Sequence, residues 1–209
     1  MNQSSYIILG AGASGLLLAY RMSLDSYFDD KSILIIDQVK DKGNDKTWCY
    51  WEDGEGEWDE LLTKKWPKVF FGSKDFTETL DISPYSYKMI RSEKFYHKLW
   101  RSIELKSNIT FIEDSVKTYT EIDNRVKVVT NKSTYFGLKL LNSILDKTVY
   151  ETQQKYPVLQ QHFVGWFVKT KTDCFDDSIA TFMDFNVPQN GNTRFMYVLP
   201  IDKNIALFE

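Results

Sequence analysis

The sequence predicts an α/β protein in which a Rossmann-like βαβ unit opens the chain and a mainly antiparallel β region adjoins it. Three observations carry this. Residues 6–9 and 33–36 are short, wholly apolar runs, the pattern of parallel strands covered on both faces. Between them lies a glycine-rich turn, Gly10-Ala11-Gly12-Ala13-Ser14-Gly15, that leads into an apolar helical stripe. From Phe163 onward the pattern changes to short strands separated by turn residues.

In order, Tyr6-Ile7-Ile8-Leu9 is the first strand, and Leu16, Leu17, Ala19, Tyr20 and Met22 give the buried face of a helix. A polar turn (Asp29, Asp30, Lys31) precedes the second strand, Ile33-Leu34-Ile35-Ile36, which Asp37 closes. Residues 40–90 break the βα alternation. They are rich in Trp, Gly, Lys and acids, and the alternation from Phe76 to Ile82 suggests hairpins. Phe95, Leu99 and Ile103 recur every four residues, so residues 93–106 are expected to form an amphipathic helix with Ser92 as its N-cap. Ile109 to Ile112, Val116 to Ile122 and Val126 to Thr130 read as a strand followed by a meander, and Leu140 to Leu145 as a further apolar segment. Strands are then expected over residues 163–169, 179–185, 194–199 and 205–209. The expected organisation is a dinucleotide-binding domain over residues 1–150, carrying the 40–90 excursion, and a β-rich substrate domain beginning at 151–209. The chain stops at Glu209 inside an apparent strand, so a fragment, incomplete at its C-terminus, is expected.

Composition narrows the functional classes. A net charge of −3 leaves no basic stripe to neutralise phosphates, so no nucleic-acid partner is expected. Cys49 and Cys174 match no metal-ligand or redox spacing, and no metal site is expected. With no signal-peptide pattern, a cytoplasmic location is expected. No apolar run approaches the ~20 residues a spanning helix requires, so any membrane contact should be peripheral, at the inner membrane. Aromatic residues make up 15% of the chain, which suits either a generous aromatic core or a large apolar ligand.

Gly-x-Gly-x-x-Gly carries chemistry because each glycine removes a Cβ that would collide. Gly10 allows the tight turn, Gly12 lets a pyrophosphate approach the backbone, and Gly15 lets helix and strand pack closely. The pyrophosphate then sits over the helix N-terminus, beside Ser14, where N–H groups and the helix dipole favour negative charge. An acid at the end of the second strand holds the ribose hydroxyls, and Asp37 occupies that place. A plain nicotinamide dehydrogenase continues directly into another βα unit. Here residues 38–108 intervene, and that excursion followed by helix, strand and meander resembles the aromatic-hydroxylase-like FAD fold.

Further segments resemble one family. Asn44-Asp45-Lys46-Thr47-Trp48-Cys49-Tyr50-Trp51 is similar to the "N-D-R/H-T-W" segment of the lycopene cyclases, with Lys46 where Arg or His is common. Tyr87 to Arg91, Gln161 to Trp166, Met183-Asp184-Phe185 and the stretch from Arg194 to Glu209 resemble further segments of that family, most nearly of its bacterial β-cyclases. The resemblance implies an isomerase (an intramolecular lyase) of carotenoid biosynthesis. It would close the ends of lycopene into β-ionone rings without net redox change, using reduced FAD with NAD(P)H as an external reductant. It also implies lycopene and related acyclic carotenes as substrates, and a lipid surface as partner. Glu209, in the place of the first Glu of an "F-L-E-E-T"-like motif, is the expected acid.

The remaining candidates keep two readings each. Asp45 is an acid near the flavin or a turn former. Trp48, with Trp51, Trp58 and Trp66, builds a small aromatic core or a cation-stabilising wall. Arg91 contacts the cofactor or is a surface arginine. His97 and His162 are expected to be structural. The acidic run Glu52, Asp53, Glu55, Glu57, Asp59 and Glu60 is expected to be a solvated loop. Two other functions fit the same fold: an FAD-dependent monooxygenase or other oxidoreductase, and a non-catalytic isoprenoid-binding escort protein.

Overall fold

The computed structural model describes residues 3–209, which form two compact units: residues 3–45 with 93–158, and residues 46–92 with 159–209.

The first unit is built on a six-stranded sheet. β1 (Gln3–Leu9) lies near its middle, flanked by β2 (Ile33–Asp37) and by a strand late in the chain. β1 leads through the glycine turn into α1 (Ala13–Leu24) and returns to β2 in parallel, with Tyr6 opposite Ile33 and Ile8 opposite Ile35. Ile7, Ile8, Leu9, Ile33, Ile35 and Ile36 are all at most 1% exposed, as strands covered on both faces require.

The second unit begins with β3 (Thr47–Asp53), β4 (Leu62–Trp66), β5 (Lys68–Gly72), β6 (Thr77–Asp81) and β7 (Tyr85–Arg91). The chain then re-enters the first unit at α2 (Ser92–Ile103), whose buried stripe is Phe95, Tyr96, Leu99, Trp100 and Ile103. Ser92 accepts a hydrogen bond from the Lys46 N–H (3.0 Å), and the Glu93 N–H donates to Asn44 Oδ1 (3.4 Å). An asparagine from the loop before β3 thus satisfies a first-turn donor of α2.

β8 (Ile109–Glu113) pairs in parallel with β2, and β9 (Val116–Ile122), β10 (Arg125–Thr130) and β11 (Thr134–Asn142) form the expected meander. β11 also pairs in parallel with β1, Ile8 facing Leu141, giving the order β8-β2-β1-β11-β10-β9. Residues 140–142 of the expected apolar segment are therefore the end of a longer strand that begins at Thr134, and residues 143–145 lie beyond it. A short α3 (Lys147–Glu151) follows.

The last strands are β12 (Trp166–Lys169), β13 (Ile179–Asp184), β14 (Met196–Asp202) and β15 (Ile205–Phe208). They join β5 and β6 in one sheet, ordered β12-β15-β14-β13-β5-β6, while β3-β7-β4 form a third. This corrects the expected division at residue 150: the excursion shares its sheet and core with the C-terminal strands. Between these two sheets lie Trp66, Val69, Tyr87, Met89, Ala180, Leu199 and Leu207, with the Trp66 indole donating to the Pro200 carbonyl (3.0 Å). Burying one face of each sheet against the other is what stabilises both.

Candidate functional site

The glycine turn has the geometry of a phosphate cradle. Gly10 has φ +92°, a conformation that side chains resist, and a Cβ on Gly15 would overlap the Gly10 carbonyl oxygen. Gly12 is different: a Cβ there would meet nothing within 4 Å, so its face is open. Gly12 is also the N-cap of α1, and no side chain caps it. A helix N-terminus that begins on glycine, with exposed Ser14 in its first turn, fits an anion. Asp37 stands beside the turn, accepting from the N–H of Ala11 (2.5 Å), from Lys42 Nζ (3.0 Å) and from the N–H of Val39 (3.2 Å). Partial burial works against its charge, but the hydrogen bonds from Ala11, Lys42 and Val39 outweigh it and hold its pKa below the ordinary aspartate value. The result is an ionised acceptor beside the glycine turn.

Glu209 directly follows β15 in the second unit. Its N–H donates to the Tyr197 carbonyl (3.0 Å) and its carbonyl accepts from the Tyr197 N–H (2.7 Å), so the two residues are a directly opposed antiparallel pair. Side chains of such a pair share a face. That face carries Leu199 and Leu207 and looks onto Cys49, Trp51, Tyr87 and Met89 of the facing sheet. On the other side of Glu209 is Gly165, where a Cβ would stand 3.5 Å from Glu209 Cβ. The surroundings are aromatic: Tyr197 packs edge-on against Phe195 (5.1 Å) and Phe182 (5.9 Å), and Phe182 against Trp51 (5.1 Å) and Tyr87 (5.5 Å). Burial first, then the Glu209 and Cys49 charges, pushes the Tyr197 phenol up. Burial, only partly offset by a hydrogen bond with Tyr87, pushes the Cys49 thiol up to about 11, with Glu209 adding to the rise. Tyr87 is raised by burial and by Cys49, with smaller contributions from Tyr197 and Glu209. Glu209 is thus an acid on the apolar, aromatic inner face of a sheet sandwich.

The other expected site residues are dispersed. Asp45 belongs to the first unit and is hydrogen-bonded to Tyr96, whose phenol burial and the Asp45 charge together push up to about 12. Trp48 lies on β3 one residue from Cys49 and three from Trp51, so alternation places it on the opposite face of that strand, away from Glu209. Arg91 belongs to the second unit rather than to the glycine turn's, with its guanidinium 4.4 Å from the centre of the Phe167 ring and its Nε buried without a hydrogen-bond partner. The four tryptophans do not form one cluster: Trp66 is fully buried in the core, Trp51 is 42% exposed against Tyr87 and Phe182, and Trp48 faces the other way. Glu52 and Asp59 of the acidic run are not simply solvated. Both pair with Lys88, whose side chain is 0% exposed, at 2.7 and 2.6 Å.

Residues 6–209 match the family model described as lycopene cyclase protein. The chain belongs to the lycopene cyclase family. Its fold recurs in solved structures of low identity. A geranylgeranyl bacteriochlorophyll reductase-like protein from Thermoplasma acidophilum is 10% identical at TM-score 0.65, over 100% of this chain and 56% of that one. A flavoprotein/dehydrogenase from Cytophaga hutchinsonii is 10% identical at 0.59, over 99% and 55%. NikD, an unusual amino acid oxidase essential for nikkomycin biosynthesis, is 13% identical at 0.65, over 100% and 69%. The chain thus spans little more than half the length of the first two. No curated protein matches the sequence. The α/β fold expected from the glycine motif, with its adjoining antiparallel β region, is the observed one.

Lycopene cyclase membership gives the local geometry a context. The segment around Asn44 to Trp51 works partly as a clasp: Asn44 holds the start of α2, Lys46 is bonded to Ser92, and Thr47 pairs with Arg91. Tyr197 and Gly165, the immediate neighbours of Glu209, were not singled out by the sequence, because cross-strand register is not written in any local pattern.

Proposed function

We propose that the protein is an FAD-dependent lycopene β-cyclase in which Glu209 is the proton donor. The observation that carries this reading is the placement of Glu209 on the aromatic inner face of the second unit. The reaction needs an acid that delivers a proton to a terminal alkene, and a dry, electron-rich surface that lets the resulting tertiary cation survive until the neighbouring double bond attacks it. A base then removes a proton and leaves a ring, so the substrate is isomerised without net oxidation. The Glu209 carboxylate, once it has given up its proton, is the group positioned to stabilise the cation or take the proton back.

FAD is supported by the glycine cradle, the ionised Asp37 and the flavoprotein fold. In the reduced form it would supply electron density to the charged transition state. Gly10, Gly12, Ser14 and Gly15 would hold its pyrophosphate and Asp37 its ribose. A substitution pair separates binding from folding. Gly12→Val in the full-length protein should fold normally and lose flavin, because its side chain enters open space where the pyrophosphate belongs. Gly15→Val should instead damage the fold, since its Cβ strikes backbone. Flavin absorbance and a melting curve for each variant check both outcomes, and a flavin-loaded Gly12→Val protein would contradict the assignment.

The reaction itself is tested by giving the reduced, full-length protein an acyclic carotene without oxygen. Cyclised product is expected. Oxidised product would mark an oxidoreductase, and bound but unchanged carotene an escort protein.

We further propose that the protein meets its substrate at the membrane surface. No helix among the described residues is long and apolar enough to span a bilayer. The second unit does expose Leu159, Val164 and Trp166 at 89%, 72% and 70%. Apolar side chains so presented suit insertion at a lipid interface. Turnover should rise when the carotene is supplied in liposomes rather than detergent, and Trp166→Ser should weaken liposome flotation. Flotation unchanged in that variant would remove Trp166 from the contact.

A further inference from the structure

The row of side chains across β12, β15 and β14 is asymmetric around Glu209. On one side Gly165 contributes no side chain, and on the other stands Tyr197, joined to Glu209 by the reciprocal backbone hydrogen bonds of 2.7 and 3.0 Å. Opposed residues of that kind have Cα atoms about 5.5 Å apart, and the ring of a tyrosine reaches across such a gap. Among the aromatic residues of this face, Tyr197 is the cross-strand partner of the acid. Phe182 and Phe195 pack against its ring, and Trp51 and Tyr87 of the facing sheet pack against Phe182. We propose that Tyr197 is a catalytic residue whose ring, rather than its hydroxyl, stabilises the cation that Glu209 generates. This rests on the reading of Glu209 as the proton donor.

The step balances within the substrate and one carboxyl group. The Glu209 O–H bond breaks and a C–H bond forms at the terminal alkene, whose remaining carbon becomes a tertiary cation. The next double bond supplies the electron pair of the ring-closing C–C bond, leaving the positive charge on the carbon of that double bond that does not join the ring-closing bond, again a tertiary centre. Loss of a proton to the carboxylate restores a neutral alkene and the acid. Throughout the two cationic stages the positive charge lies within reach of the Tyr197 ring, and cation–π attraction falls as the ring is made electron-poor.

The test uses full-length, flavin-loaded enzyme with lycopene in liposomes. Tyr197→Phe should keep turnover within roughly threefold, because the ring remains, whereas Tyr197→Leu should lose roughly 10- to 100-fold in kcat. Replacing Tyr197 by phenylalanines bearing one, two and three fluorines should lower kcat stepwise at nearly constant ring volume, with flavin content and melting temperature unchanged. Hydrated, uncyclised alcohols should appear as by-products in the slow variants. Flat rates across the fluorinated series, or Tyr197→Phe as slow as Tyr197→Leu, would overturn the proposal. Glu209→Gln is run in parallel. If it retains activity, the acid assignment fails; if it is inactive while the Tyr197 series is flat, only the role of Tyr197 fails.

Discussion

Replacing Glu209 by glutamine in the full-length protein is expected to reduce ring formation by roughly 10²- to 10⁴-fold, the range that a positioned proton donor supplies. Glutamine preserves the shape of the side chain, and the paired backbone bonds with Tyr197 involve no side-chain atom, so β14 and β15 stay in register. What is lost is the acidic proton. The defect should therefore fall on kcat, with flavin content, melting temperature and carotene binding close to those of the parent. Glu209→Asp separates position from acidity. It retains a carboxyl group withdrawn by one methylene, and an intermediate rate is expected because proton transfer to carbon tolerates little extra distance. The measurement is the single-turnover yield of cyclised carotene under anaerobic, reduced conditions. Near-parental turnover in Glu209→Gln would move the role to another acid, and Asp45, hydrogen-bonded to Tyr96 in the first unit, would be next to mutate.

The parts of this fold that were legible in the sequence are those whose cause is local. Gly10, Gly12, Gly15 and Asp37 are each required by a backbone geometry within one βαβ unit, so their spacing alone announces them. The amphipathic stripe of α2 and the meander of β9 and β10 are equally self-declaring. What was hidden depends on distant pairing. β5 finds β13 in parallel, Val69 opposite Ala180 and Phe70 opposite Thr181, across more than half of the chain, and no periodicity near residue 70 signals that partner. The excursion consequently looked like an appendage of the first domain. Tyr197 was hidden for the same reason, since its significance comes from lying opposite Glu209 and not from its own neighbours in sequence. A tryptophan count also ignores strand alternation, which sends Trp48 and Trp51 to opposite faces of β3. Lys88 follows Tyr87 and precedes Met89, and a lysine between two core residues reads as the solvent-facing partner in an alternating strand.

Lys88 is where a second large effect is expected. Its ammonium group, with a side chain 0% exposed, donates to Glu52 (2.7 Å), Asp59 (2.6 Å) and the Gly54 carbonyl (2.9 Å), so the loop after β3 is folded back over β7 around one cation. Gly56 belongs to the same arrangement, since a Cβ there would fall on the Glu52 carboxylate. Removing one partner of a buried charge set leaves the others uncompensated, and Lys88→Met should cost about 3–5 kcal/mol. Replacing the whole set, with Glu52→Gln and Asp59→Asn added to Lys88→Met, should recover most of that loss, because no unpaired charge remains. The pH dependence has a definite sign. Hydrogen bonding to Lys88 is the main cause that holds Asp59 below the ordinary aspartate pKa, so its contribution is present above that value and is lost as pH falls through the depressed one. Burial opposes the charge on Lys88, but Asp59 and Glu52 outweigh it and raise its pKa, so its contribution is present below the ordinary lysine value and fades only at higher pH. The gap between parent and Lys88→Met should therefore be widest from roughly pH 5 to pH 9 and should narrow below about pH 4. Urea denaturation of both proteins across that range measures it. A gap that stays constant into acid would mean that Lys88 stabilises the unit through its methylene packing and not through its two carboxylates.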